Sequence, residues 1–272
     1  MNDRNLIKLA PHADATEALS GPAAEQVLQQ IRDFNQQRVS NLDLQEWRLD
    51  GATLSGLNLQ RASLRGAQLL NVEIGDADLD GTWLDHAALN GVRFQPRKHT
   101  GLSLQGSELL AVHLDQAGFE GANFQQTRIQ DASARQGSYS VSNFAGSQIA
   151  ACDFSGAEFA TCSFSGATLR DVRFDGATFS RTNLQSKSFE NVSLQGATLS
   201  ECDLSGADLR SVQLRDAVVN CANFKGANLS GLDLTGAQFI DVNFQGADLR
   251  GAQIAKAQFK GCDLNGVLLD RG

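Results

Sequence analysis

Four histidines and five cysteines are the residues of this chain best suited to metal binding or nucleophilic chemistry, and their spacing supports neither. His12, His86, His99 and His113 have no ligand-type neighbour at helical or hairpin spacing, and neither Cys-x-x-Cys nor His-Glu-x-x-His occurs. Gly-x-x-x-x-Gly recurs, but no Gly-Lys-Ser or Gly-Lys-Thr follows it, so no phosphate-binding loop is indicated. A nucleophile also needs a base within hydrogen-bond reach inside a water-excluding pocket, and no constellation here supplies one. The chain reads as a non-enzyme, with no catalytic residue, no cofactor and no metal.

The totals narrow the class further. A net charge of −8 over 272 residues disfavours direct nucleic-acid binding, which needs a basic face. No apolar run approaches membrane-spanning length, and the N-terminus lacks the apolar stretch of a secretory signal. An odd number of Cys in a long chain favours a reducing compartment. These features suit a cytoplasmic protein, and they are compatible with export by a route without a cleaved signal.

What remains is a repeat. From Leu44 to Leu269, 43 of the 46 residues at every fifth position are Leu, Phe, Ile or Val, and the others are His99, Ala134 and Tyr139. Two residues before each centre the chain is small, as at Ala52, Ala62 and Ala157; two after it, Gly is frequent, as at Gly56, Gly66 and Gly156. A period of five suits neither helix nor strand, but it suits a chain that turns a corner every five residues and points its large and small residues inward. Cys152, Cys162, Cys202 and Cys262 occupy the small inward site and read as packing, while Cys221 alone falls outward.

Charges give the size of a coil. Residues one coil apart in a stacked solenoid lie about 4.8 Å from each other, so like charges there repel. At an offset of 20 the repeat contains ten opposite-charge pairs, among them Arg65/Asp85, Asp78/Lys98, Asp115/Arg135 and Arg170/Glu190, and no like-charge pair. At an offset of 15 there are nine opposite and six like. Val72, Val92 and Val112, then Val172, Val192 and Val212, repeat the spacing of 20 on inward positions. Four pentapeptides therefore make one coil.

Runs such as SGADLRSVQLRDA, KGANLSGLDLTGAQF and QGADLRGAQIAKAQF resemble the A-(D/N)-L-x-x motif of the pentapeptide-repeat family. The resemblance covers about residues 41–272. It implies an all-β solenoid, a right-handed quadrilateral parallel β-helix of about eleven coils, with the central Leu/Phe and the preceding Ala inside. At ~4.8 Å per coil the rod is about 55 Å long.

The ends and interruptions supply the candidate contact residues. Residues 1–40 are expected to hold a mobile tail, residues 1–20, and an amphipathic helix that opens at Ser20-Gly21-Pro22. Its apolar stripe of Val27, Leu28, Ile31 and Phe34 suits a lid on the first coil of a solenoid spanning 41–272. The C-terminal coil has no such lid, so Leu264, Leu268 and Leu269 are candidate contacts of a homodimer. In Gln95–Thr100, Arg97 and His99 fall on inward positions, and burying both unpaired would be costly. This pentapeptide is expected to bulge outward, placing Arg97, Lys98 and His99 with Arg93 in a basic knob for an acidic partner. Lys187 is a weaker case. Asp76, Asp78 and Asp80, with Asp85, form an acidic cluster within one coil beside Glu73, and Leu70 and Leu110 share an outward column that could receive the helix or a partner. The leading functional reading is a stiff interaction module for a protein partner. The family resemblance adds a DNA-mimicking binder and protector of a type II topoisomerase such as gyrase, and a bacterial secreted effector is a further alternative.

Overall fold

Main-chain pairing follows the offset of 20 along the rod. Leu49 lies beside Leu69, Ile129 beside Ile149 and Phe159 beside Phe179, always in parallel register. The hydrogen bonds alternate across the gap between coils: the Leu44 N–H donates to Ser63 O at 2.7 Å, and the Ser63 N–H donates to Leu42 O at 2.8 Å. The computed structural model describes residues 7–8, 18–38, 40–185 and 188–270, and the repeat within them forms a four-sided parallel β-solenoid of about eleven coils. Each side is named here by its first central residue: Leu44, Leu49, Leu54 and Leu59.

The sides are not equivalent, and the residue before each centre decides between two forms. The Leu59 side carries a nine-stranded sheet, from Lys98–Thr100 to Gln258–Lys260, and the Leu49 side an eight-stranded sheet, from Arg48–Asp50 to Ser188–Glu190. On these two sides, wherever the preceding residue is Asp or Asn, the strand shrinks to a single bridge. Asn58, Asp78, Asp208, Asn228 and Asp248 all do this. In each case the side-chain oxygen accepts the N–H two residues on, at 3.0–3.3 Å. That local bond bends the backbone into a turn and competes with extension of the strand.

The interior is filled by stacked side chains. Phe124, Phe144 and Phe164 stack with centroids 4.6 and 4.7 Å apart, and Phe119, Tyr139, Phe159 and Phe179 stack at 5.4, 4.9 and 4.8 Å. Burying each such ring contributes roughly 1.5–3 kcal/mol. Two of the three exceptions in the repeat compensate each other. Tyr139 is larger than its neighbours in the column, and a Cβ on Gly137 would lie only 3.0 Å from its Cε2 and 3.2 Å from its hydroxyl. Gly137 stands where the coils on either side have Ala117 and Ala157, and the buried Ala134 stands between Leu114 and Phe154 in its own column. One oversized residue is thus accommodated by two undersized ones.

The third exception overturns an expectation. Gln95–Thr100 does not bulge outward: Lys98–Thr100 is a regular strand paired with Gly118–Glu120, and His99 is fully buried beside Phe119. Only Arg97 escapes, turning its guanidinium outward to donate to Asp76 O at 2.5 Å. A ring of nearly Phe size continues the aromatic column, and neutral imidazole costs far less to bury than the two charges that would have forced a bulge. Lys187 lies outside the described residues.

The first coil is closed by helix α1, Gly21–Gln36, with Pro22 in its first turn and Ala24, Val27, Leu28 and Ile31 buried on the core. Its last turn supplies a substitute for the missing coil. The Asn35 side-chain amide donates to Asn58 O and accepts from the Asn58 N–H, both at 2.8 Å, doing for Asn58 what a strand below it would do. Residues 1–20 are not an unattached tail throughout: Ile7–Lys8 pairs in parallel with Leu42–Asp43, and Leu19 bridges to Leu49. At the opposite end Ile254, Leu264, Leu268 and Leu269 are exposed.

Two measurements check this assignment. Phe159→Asp should lower the melting temperature severely, because it places an unpaired carboxylate in a closed aromatic column, whereas Asp175→Ser, on an outward position whose ion pair with Arg173 is solvent-screened, should be nearly neutral. Equal losses would contradict the inward register. Ala134→Leu should destabilise by about 1–3 kcal/mol through overpacking against Tyr139, and Ala134→Leu combined with Tyr139→Phe should recover part of that loss in a denaturant titration.

Candidate interaction surface

The acidic and basic clusters singled out in the sequence meet on adjacent coils and engage each other. Arg97 lies 3.4 Å from the Asp78 carboxylate, and Lys98 pairs with Glu120 on the following coil. The acids have other partners too: Asp76 accepts the Gly56 backbone N–H at 2.6 Å, Asp80 accepts the Thr100 backbone N–H at 2.7 Å, and Asp78 accepts from the Gln60 side-chain amide at 2.7 Å. Arg93 remains exposed on the Leu54 side, and His99 is inside the rod rather than part of a knob. The two clusters form one patch of mixed charge in which Arg97 and Asp78 are in contact. Such exposed pairs contribute little each to stability.

Elsewhere the charges pair along the chain more than between coils. Of the offset-20 pairs, Arg65–Asp85 at 3.4 Å and Arg135–Asp115 at 2.8 Å make contact. Arg170, Arg210 and Arg250, however, turn to Asp171, Asp208 and Asp248 at 3.8, 2.6 and 2.6 Å, not to Glu190 or Asp270. A partner one or two residues away is within reach of a guanidinium without crossing the coil spacing. The hydrogen bonds from Arg250 hold the Asp248 carboxyl at about 2, and those from Arg210 lower Asp208 in the same way. Interleaved guanidinium groups therefore interrupt any acidic stripe on the Leu49 side.

A feature that charge-based reading of the sequence passed over is a surface without charge. On the Leu59 side, six successive strands run from Ser138–Ser140 to Gln238–Ile240. Their outward residues are Ser, Thr, Ala, Val, Asn, Gln and Ile, and Glu158 is the one ionisable group among them. Val141, 63% exposed at a corner with φ +52°, projects at its edge. The signal was available as the run of neutral residues flanking each centre in this column. Leu70 and Leu110, in contrast, are isolated on the Leu49 side with Asn90 between them, 37% and 41% exposed, and α1 does not cover them.

Depressions such as the one over Gln130, Gln148, Thr168, Arg170 and Glu190 are shallow troughs between outward side chains. Among the described residues, no group of three or more His, Cys, Asp and Glu side chains is placed to hold a metal ion, and no helix is long and apolar enough to cross a membrane. Burial pushes the thiols of Cys152, Cys162 and Cys202 up to about 11, so they stay protonated; Cys221 is exposed and Cys262, in the open last coil, partly so.

Comparison with known proteins places this architecture. A model of pentapeptide repeats in eight copies matches residues 48–91, 207–246, 220–253 and 233–271, and a model of a pentapeptide repeat region matches residues 142–219. No curated protein sequence matches. Among solved structures, HetL, a pentapeptide repeat protein involved in heterocyst differentiation regulation in the cyanobacterium Nostoc sp. strain PCC 7120, is 25% identical over 84% of this chain and 89% of its own, with a TM-score of 0.36. QnrB1, a plasmid-mediated fluoroquinolone resistance protein, is 20% identical over 68% of this chain and 90% of its own, with a TM-score of 0.34. Rfr23, from the cyanobacterium Cyanothece 51142, is 21% identical over 45% of this chain and 91% of its own, with a TM-score of 0.29. With its inward Leu/Phe every fifth residue, its four-sided coil and the two repeat models matching more than half its length, the chain belongs to the pentapeptide-repeat family.

Proposed function

We propose that this protein is a non-enzymatic interaction rod that docks a protein partner on the neutral sheet of its Leu59 side. The observation that carries the reading is the near absence of ionisable groups across six successive strands, on a molecule whose other sheet side is studded with Arg and Asp. Charges are costly to desolvate, and the buried centres of protein interfaces are depleted in them. Hydroxyl and amide side chains held at fixed spacing keep hydrogen-bonding capacity, and a stiff ladder loses little conformational freedom on binding. The partner chemistry that fits is a flat, uncharged, polar protein surface. An affinity capture with the parent protein should retain a partner that binds Ser180→Arg/Ser200→Arg roughly tenfold or more weakly. Gln195→Arg, on the Leu54 side, should bind like the parent. Equal binding by all three would remove the Leu59 side from the reading.

We further propose that two copies meet through the coil that carries Leu264, Leu268 and Leu269. These residues and Ile254 stand exposed around the partly buried Phe259, which forms an apolar patch at the end of a stack of parallel strands. An open stack end presents unpaired main-chain groups as well as apolar side chains, and a two-fold copy of the same patch would cover both. Sedimentation should show a dimer for the parent and a monomer for Leu268→Arg, which brings like charges together across the two-fold. A monomeric parent, or an undiminished dimer in the variant, would refute the pairing.

A further inference from the structure

We infer that the coil carrying His99 is an acid-labile joint, at which protonation of one buried imidazole loosens the rod locally while distant coils stay folded. The geometry is unusual for a histidine. The ring is 0% exposed, neither Nδ1 nor Nε2 has a hydrogen-bond partner, and it sits 5.7 Å from the Phe94 ring and 5.6 Å from the Phe119 ring. A neutral ring is tolerated there as an aromatic filler, but an imidazolium would need two acceptors, and the aromatic column offers none.

The charged groups around it do not supply them. On its own segment Arg97 adds a repelling charge, and Lys98 points outward to Glu120 of the next strand. On the preceding coil Asp78 and Asp80 attract a proton, yet both are engaged by Gln60, Arg97 and the Thr100 N–H. One coil beyond Phe119, the Tyr139 hydroxyl is buried, un-ionised and itself without a partner. Burial first, and then Arg97, hold the ring's pKa down to about 4 against the opposing pull of Asp80 and Asp78. An unfolded or opened segment regains the ordinary value near 6.5 and takes up the proton first. Stability at this coil is therefore full at neutral pH and is lost as pH falls from about 6.5 towards 4. The carboxylates lowered by their hydrogen bonds, Asp115, Asp208, Asp233 and Asp248, lose their contribution only below that window. Because each coil contacts only its neighbours, the loosening centres on the coils between Leu79 and Tyr139.

Segment-resolved hydrogen exchange on the full chain tests this. Between about pH 7 and pH 5, after correction for intrinsic rates, protection of the segment from Leu79 to Tyr139 should fall by roughly twentyfold, with coils beyond Leu199 unchanged. His99→Phe, which extends the column already formed by Phe119 and Phe159, should abolish the response, and His113→Gln should leave it intact. A response that persists in His99→Phe, or spreads evenly along the rod, would overturn the joint. Should His99→Phe fail to fold, the imidazole proton resonance of the parent decides: titration near the ordinary histidine value refutes the inference, and titration well below it upholds it.

Discussion

A parallel main-chain ladder with a repeat of one coil is the constraint on which everything else in this molecule depends. Along the sides of the rod backbone groups pair with the coil before or after, as Leu44 does with Ser63 and Ser63 with Leu42, while corner groups such as the Ala62 N–H bond within their own coil, here to Leu59 O. Once that register holds, the residue type at any position is answerable to the residues one coil away on either side. Inward positions must match in volume, as the Phe stacks do, and outward ones must tolerate a neighbour about 4.8 Å away. The ends are the places where the ladder has no partner. The first coil solves this with borrowed groups, including the Asn35 side-chain amide on Asn58 and the bridge from Leu19 to Leu49.

The path of the chain was legible because the constraint is periodic. Spacing of Leu and Phe gave the pentapeptide, and the offset between opposite charges gave the coil, which the strand register repeats pair by pair. The same charges were a poor guide to contacts. Arg170 and Glu190 lie side by side in the ladder, but a flexible guanidinium settles on the nearer Asp171. His99 was misplaced for a related reason. Judged alone it is a polar residue at an apolar position, whereas next to Phe94 and Phe119 it is an aromatic ring of the right size. The choice between a three-residue strand and a single bridge was also written in the sequence, in the Asp or Asn before each centre, but it becomes visible only when the sides are laid out separately.

The same division bears on function. Charged residues draw attention in a linear sequence, yet in the folded rod many of them are occupied with one another or with the backbone: Asp78 with Arg97, Asp115 with Arg135, Asp80 with the Thr100 N–H. Among the described residues, the six strands of the Leu59 side from Ser138–Ser140 to Gln238–Ile240 carry a single outward ionisable group, Glu158, unlike the coils before them on the same side, where Asp78, Asp80, Lys98 and Glu120 are engaged. A rod of this kind separates two requirements that a globular domain must meet together: the inward residues secure the stack, and outward ones can change without disturbing it.

The three-residue accommodation around Tyr139 sets a rule for how such a rod can lengthen. A tandem duplication of residues 121–140 would carry Ala134, Gly137 and Tyr139 into the new coil together, and the copy would inherit its own space. A duplication of residues 136–155 would insert the same number of residues and keep the register. It would, however, set the copied Tyr139 after Phe154 instead of Ala134, with a large ring where the phenol needs a small neighbour. Growth by whole coils is therefore not free of phase: the points at which this gene could be cut and copied are limited by which side chains share a layer, and not only by the length of the repeat.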